Sequence, residues 1–591
     1  MRAGHEEVDT AVTFLPTRIE QGEPSFDIIL VSGDAYIDHP AFGTAIIGRW
    51  LQAHGYRVGI IAQPDWHNPA SFTRLGQPRL FFGVSAGNID SIVAHYTPTG
   101  KPRSDDAYTP GGSSGARPDR ATIVYSQMLR AAYPGTPIIL GGIEASLRRL
   151  PHYDFMQQKV RNSVLFDSRA DAIVYGMGER AILEVAQRLR EGLPLDDIPG
   201  LVCAVSTPHE EQPVLLPTPE ECRADLRALH LVLEQHHRSR TLYMPFAGRW
   251  LRHNPPAAPL GTDEMDAVYA LPFQRAPHPD YAGQPIPAFQ QIRDSITSHR
   301  GCFGGCRFCA LGYHQGKAIQ SRSEASILAE VAQLAAGTGF RGTISDIGGP
   351  TANMYGMRCR QGIAATCPRA SCLQPDICPH LDTSHRAVRH LLRQAAAHPA
   401  VRHLFVASGI RFDLALREPG YIDDIATNYT GGHLKLAPEH TVPRVLAAMG
   451  KPGSERYEQF CQRFEQASQR AGKQQYVLPY IMIGHPGETL HETVELALWL
   501  RQRGIRVRQV QQFTPTPMSL STCMYATGRD FATGKPLHVP RGRELTLMKA
   551  LVQWFLPQNH ARVREALKLA GRPELTGRLL GKGTPPRKSG R

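Results

Sequence analysis

Cys302-Phe303-Gly304-Gly305-Cys306-Arg307-Phe308-Cys309 sets three thiols at C-x3-C-x2-C spacing in a loop of glycines and aromatics. Thiolates are soft ligands that suit zinc and iron–sulfur clusters. Three this close can hold three corners of an iron–sulfur cube. The fourth iron would then have no protein ligand from the loop. An open iron can bind and activate a molecule, whereas a fully ligated one mainly moves electrons. Zinc is the competing reading. It needs a fourth ligand, for which His299 and His314 are nearby in sequence, although structural zinc sites favour C-x2-C pairs.

Outward from the loop, the chain reads as a βα series. Residues 292–297 predict a strand whose end carries the loop. Ser321-Arg322-Ser323-Glu324 predicts a capping box that opens a helix with Ile327, Leu328, Val331 and Leu334 inward and Gly337 as its stop. Strands are expected over 342–347, 403–408, 433–437, 476–483 and 507–513. One of the helices between them is opened by Thr489-Leu490-His491-Glu492 and stopped at Gly504. Six such units in about 225 residues fit a partial (β/α)6 TIM-like barrel, where chemistry sits at the C-terminal strand ends. The loop occupies the first of those ends. This barrel is expected over 291–530, with a cysteine-rich insertion at 355–381.

Residues 25–200 predict a second α/β unit. Strands at 26–31, 58–62, 80–84, 137–140 and 172–175 alternate with helices, one over 43–53. Several end in glycine, as in Ser85-Ala86-Gly87, Gly141-Gly142 and Gly176-Met177-Gly178. This repetition indicates a doubly wound parallel sheet with any ligand at the carboxyl strand ends. Each glycine can equally be only a tight turn. Asp34, Asp38 and His39, just past the first strand, are expected to face that crevice. Residues 1–24 are expected to be disordered, and the Pro-rich stretch 201–290 to be a connector. Residues 531–591 should form a helical extension (helices near 544–555 and 561–570) with a basic disordered tail.

At 591 residues the chain exceeds one core and should divide into two to four domains. It has no apolar run of about 18 residues and no signal-peptide core. A cytoplasmic protein without membrane contact is expected. Eleven cysteines in that setting favour metal or redox roles over disulfides. The net charge of +13 admits a nucleic-acid partner, although the excess arginine is scattered. Four more cysteines, Cys359, Cys367, Cys372 and Cys378, lie in the insertion and form a candidate second metal or iron–sulfur site. Their spacing matches neither common zinc fingers nor ferredoxins.

The cysteine loop after a barrel strand resembles the radical S-adenosylmethionine (SAM) superfamily. That resemblance implies a [4Fe–4S] cluster on Cys302, Cys306 and Cys309, with SAM chelating the fourth iron and cleaved to a 5′-deoxyadenosyl radical. It places Phe308 near the adenine. Ser345-Asp346-Ile347-Gly348-Gly349-Pro350 resembles the family's GGE segment, whose backbone meets the SAM amino group, with Pro350 in place of Glu. Ser408, Arg411 and Glu439, at later strand ends, are then candidate contacts to the SAM ribose and carboxylate. A flavodoxin- or ferredoxin-type reductant is also implied.

More narrowly, "DAYIDHPAFG" (34–43), "SDDAYTPGG" (104–112), "RPDRA" (117–121), "SHRGCFGGCRFCALGYHQGK" (298–317), "SDIGGPTANMYGM" (345–357) and "LKLAPEHT" (434–441) resemble the YgiQ-type family of radical SAM proteins. The resemblance names no substrate. The N-terminal unit resembles the cobalamin-binding folds fused ahead of such barrels. Asp38-His39-Pro40-Ala41-Phe42-Gly43 does not match the D-x-H-x-x-G motif of histidine-ligated cobalamin, so only a cobalamin without histidine ligation remains an alternative. The other class left open is a non-enzymatic iron–sulfur or zinc protein acting as a sensor or RNA-binding scaffold.

Overall fold

The computed structural model describes residues 13–581. Strands Ile28–Ser32 and Val58–Ala62 are buried throughout, which is why they read as unbroken apolar runs. Five parallel strands lie in the order Val58–Ala62, Ile28–Ser32, Phe81–Ser85, Ile138–Leu140, Ala172–Val174. The order reverses between Ile28–Ser32 and Phe81–Ser85, the switch point where such sheets open a ligand crevice.

Arg117 packs beneath one side of that crevice. A Cβ on Gly33 would sit 2.4 Å from the Ala86 carbonyl oxygen. Arg117, fully buried, donates to that oxygen at 2.5 Å. It also pairs with Asp34 at 3.0 Å and Asp106 at 2.9 Å. Asp34, Asp38 and His39 therefore do not face a ligand. Asp38 is bound to Arg49, and His39 Nδ1 accepts the Ala41 N–H at 3.1 Å. Asp34 and Asp106 are taken up by Arg117, and Asp38 by Arg49.

Two other expectations are corrected. Residues 201–253 are not a connector but extend the sheet to nine strands. Leu201–Val205 runs antiparallel to Ala172–Val174 and is followed by Arg249–His253, Leu242–Phe246 and Val214–Leu215. The prolines of 254–259 begin only after the last of these strands. Within the segment expected to be disordered, residues 13–24 are placed, and Leu15 is buried with its N–H on the Tyr36 hydroxyl at 3.1 Å. Residues 1–12 and the tail 582–591 lie outside the described residues.

The second half is the partial barrel. Ser295–Thr297 pairs with Asp346–Gly348, and Thr343–Ile344 with His403–Leu404. His433–Glu439, Tyr476–Ile483 and Gln511–Gln512 follow in turn, all parallel. The third strand stops at Leu404 because the Ala407 and Ser408 N–H groups leave the ladder for the Asp346 carboxylate, at 2.8 and 3.1 Å. Helix Glu324–Ala336 is capped by Ser323, not Ser321; the Ser321 hydroxyl instead accepts the Gly356 N–H. The Thr489–Glu492 capping box forms on Leu490–Gln502. Helices Arg543–Val552 and His560–Leu569 pack against Leu490–Gln502 in one apolar cluster.

The Arg117 network carries two predictions. Arg117→Met strands two buried carboxylates and should cost about 3–5 kcal/mol, read from amide exchange of Ile28–Ser32; a loss below about 1 kcal/mol would mean the charges are dispensable. Burial raises the Asp34 carboxyl to about 6, above its unfolded value of about 3.9. The folded state therefore binds the extra proton, and this group costs stability as pH rises from about 4 to about 7. Asp34→Asn should remove that part of the pH dependence of the thermal midpoint.

Candidate functional site

Residues 301–310 form neither helix nor strand, so their backbone groups need partners from elsewhere. Cys302 N–H donates to Gly316 at 3.1 Å and Arg307 N–H to Met449 at 2.9 Å, while the Arg307 carbonyl accepts Ser521 N–H at 3.0 Å. The insertion supplies two more ties. The Ser371 hydroxyl donates to the Gly304 carbonyl at 2.8 Å, and Cys372 N–H donates to the Phe303 carbonyl at 3.0 Å. Gly305 has φ +65°, and a Cβ there would lie 2.5 Å from Ser371 Cβ. Only glycine lets the insertion seat so closely.

Cys302, Cys306 and Cys309 line one cavity of about 460 Å³. Burial, then the neighbouring Cys306 thiolate, raises the Cys302 thiol and pushes Cys309 up to about 12. Arg411 sits over this set, with Nη1 3.6 Å from Cys306 Sγ. Burial opposes its charge, but Asp413 and the two nearest thiolates hold it protonated. Asp413 takes the Arg411 Nε and Nη2 at 2.9 and 2.6 Å. The fork expected to grip a carboxylate ligand is thus engaged within the protein. Thr351 Oγ1 lies 3.7 Å from Cys302 Sγ.

Three half-buried soft donors that repel each other as thiolates fit a multinuclear cationic group better than free thiols. Among the described residues no three His, Cys, Asp or Glu side chains converge on a position for one ion. Ligands of a cubane bind three different irons and need not converge on one point. The insertion cysteines do not converge either. Cys372 and Cys378 pack beside Phe303, Met354 and Leu414 in an apolar cluster. The Cys372 thiol is raised by burial and by the nearby Cys378 and Cys367, against Lys317.

Gly348, Gly349, Pro350 and Ser408 line a second cavity of about 530 Å³ between the barrel mouth and the glycine-rich strand ends of the N-terminal sheet. The two cavities share Gly176, Met177, His314 and Gln315. His39 lines neither, whereas its neighbours Pro40 and Ala41 line the second. The Gly348 carbonyl accepts the Ser298 N–H at 2.7 Å, and the Ser408 hydroxyl donates to Asp346. Phe308, Arg411 and Glu439 line neither cavity. The Phe308 ring meets the His485 ring edge-on at 6.3 Å. Glu439 holds φ +67°, a conformation that costs about 1–3 kcal/mol and clusters at functional sites. Burial raises its carboxyl against the pull of Lys451, 4.0 Å away.

Several contributors were not visible in the sequence. Asp413, two residues past Arg411, could have been flagged as its partner. Glu179 could not: it pairs with Arg300 at 2.5 Å across 121 residues, joining the two halves beside the loop. Asp346 ties the second barrel strand to the third. Glu488, in the Gly484–Thr489 motif, accepts Gly484 N–H and the Thr493 hydroxyl, both at 2.7 Å, and is buried.

Residues 296–500 match the Radical SAM superfamily model, and residues 14–295 the Radical SAM N-terminal model. Residues 508–588 match a domain of unknown function, DUF3362. The UPF0313 protein GSU2873 of Geobacter sulfurreducens is 52% identical, over 96% of this chain and 97% of its own. The UPF0313 protein YgiQ of Escherichia coli K12 is 43% identical, over 95% and 87%. Among solved structures, the radical SAM methyltransferase TsrM from Kitasatospora setae, with cobalamin and [4Fe–4S] cluster bound, aligns at TM-score 0.47 and 16% identity, covering 84% of this chain and 74% of that one. The cobalamin-dependent SAM radical enzyme OxsB aligns at 0.45 and 12%, covering 87% and 57%. The cysteine loop, the barrel and the extended sequence identity lead to one conclusion: the chain belongs to the UPF0313 (YgiQ) family of radical SAM enzymes.

Proposed function

We propose that Cys302, Cys306 and Cys309 hold a [4Fe–4S] cluster whose open iron takes SAM. The observation that carries this is the set of three half-buried, mutually repelling thiols on a loop that four other segments hold in place. Held by these three cysteines and supplied with one electron by a flavodoxin- or ferredoxin-type partner, such a cluster would provide the reductive cleavage of bound SAM. Arg411 sets a positive charge 3.6 Å from Cys306 Sγ, and Asp413 keeps the guanidinium aimed there. With the Gly348 carbonyl taken by Ser298, the carbonyls of Gly349 and Pro350 are the ones offered to the SAM ammonium. Phe308, backed by His485, closes the loop side. Ser408 borders the cavity as a polar contact, while Glu439 stands outside it with Lys451 at the fourth strand end. Any cobalamin at the glycine-rich strand ends would bind without His39.

Anaerobic reconstitution of the full chain should load one four-iron cluster, and the Cys302→Ala/Cys306→Ala/Cys309→Ala variant should retain none of it. With SAM and dithionite the loaded protein should release 5′-deoxyadenosine; none from fully loaded protein would contradict the reading. Gly305→Ala should strain the loop by about 1–3 kcal/mol and lower the iron kept after desalting, with far-UV circular dichroism unchanged. Undiminished iron in that variant would show that the insertion does not need to seat on Gly305.

A further inference from the structure

A closed eight-stranded barrel packs the inner side chains of its strands into a core. This barrel has six strands, and part of its inner face is open. On the fourth strand Leu434 and Leu436 are buried among the outer helices, so alternation puts His433 and Lys435 on the inner face. Opposite them on the fifth strand stand Tyr476 and Leu478. Tyr476, Leu478 and Tyr480, alternate residues, are 52%, 43% and 36% exposed. Phe405, on the third strand's extension, is half-buried and stacks with His403 at 6.0 Å. An exposed row of this kind marks an interaction surface.

The charge around it is one-sided. The loops that enter strands two to six, residues 337–342, 397–402, 430–432, 471–475 and 503–510, contain six basic residues and no Asp or Glu. These are Arg341, Arg402, Lys473, Arg503, Arg506 and Arg508, all exposed. Arg503 pairs with Glu458 on the helix Ser454–Arg470. The chain as a whole has 66 basic against 53 acidic residues, so these five loops are a local concentration of positive charge.

We propose that this inner face binds single-stranded nucleic acid. Unstacked bases lie on aromatic rings while arginine and lysine meet the phosphates, which is the chemistry displayed here. A duplex keeps its bases stacked and cannot use the rings. An apolar protein segment would use the rings but leave the cations unopposed. From Tyr476 to Met482 the strand climbs about 20 Å toward Gly484 and His485, and His485 touches Phe308 of the cysteine loop. A strand lying along this face would present one end to the radical site, making a nucleotide the substrate class. That last step rests on the SAM-cleavage reading; the binding itself does not.

The test is fluorescence anisotropy on the full chain without cluster. The probes are a labelled unstructured RNA, the same sequence as DNA, and a duplex, with heparin as a competitor that lacks bases. Both single strands should bind more tightly than the duplex, and any preference for RNA would identify the sugar. Tyr476→Ala/Tyr480→Ala should weaken binding about tenfold or more, with Tyr476→Phe/Tyr480→Phe retaining it and both variants keeping the wild-type melting point. Arg506→Gln/Arg508→Gln should lower the slope of log affinity against log salt by about 2. Cluster-free and loaded protein should bind alike, so a cluster that fails to form leaves this test intact. The proposal is overturned by equal affinity for duplex, by binding that heparin abolishes and tyrosine loss leaves unchanged, or by a tyrosine variant that alters only self-association.

Discussion

Three thiols must stand close together in a half-buried pocket before any metal arrives, and both burial and mutual repulsion of the thiolates oppose this. The rest of the site answers that constraint. The loop has no internal ladder to stiffen it, so the Gly316, Met449 and Ser521 segments and the insertion hold its backbone from several sides. Arg411 brings a positive charge to the Cys306 sulfur, and Asp413 offsets the burial of that cation. A buried pair of this sort adds little stability by itself, but breaking it leaves one charge alone and is costly. Its value lies in a fixed position beside the sulfur.

The two halves of the molecule meet around this loop rather than at a distant linker. Glu179, at the start of a helix of the N-terminal sheet, pairs with Arg300, two residues before Cys302. His314, after the loop, contacts Ser146 at 3.1 Å. The space at the sheet's strand ends lies over Val31, Ser85, Gly87, Gly142 and Gly176, facing the barrel. The cavity bordered by Gly348–Pro350 is therefore walled by both halves, and a ligand there would touch both.

What the sequence shows follows from the range of the forces involved. Strands buried on both faces, such as Ile28–Ser32, appear as apolar runs, and a capping box such as Thr489–Glu492 is a contact within one turn. Both are local and legible. The extension of the sheet over 201–253 is not, because pairing of Leu201–Val205 with Arg249–His253 is decided 45 or more residues away. The spacing of Cys302, Cys306 and Cys309 was legible as a ligand set, while the partners that engage Arg411 and Ser408 were not. Polar residues at strand ends look like ligand contacts in a sequence whether they face a ligand or, as with Asp34 and Asp38, a buried arginine. The single apolar anchor Leu15 carried no periodic signal at all.

The central claim is that the three-cysteine loop leaves one iron free to take SAM. Electron paramagnetic resonance of the reconstituted, dithionite-reduced protein, recorded with and without SAM, tests it most directly. The account predicts a [4Fe–4S]⁺ signal whose g values shift when SAM is added. A signal unchanged by saturating SAM, or one that persists in the triple cysteine variant, would contradict it.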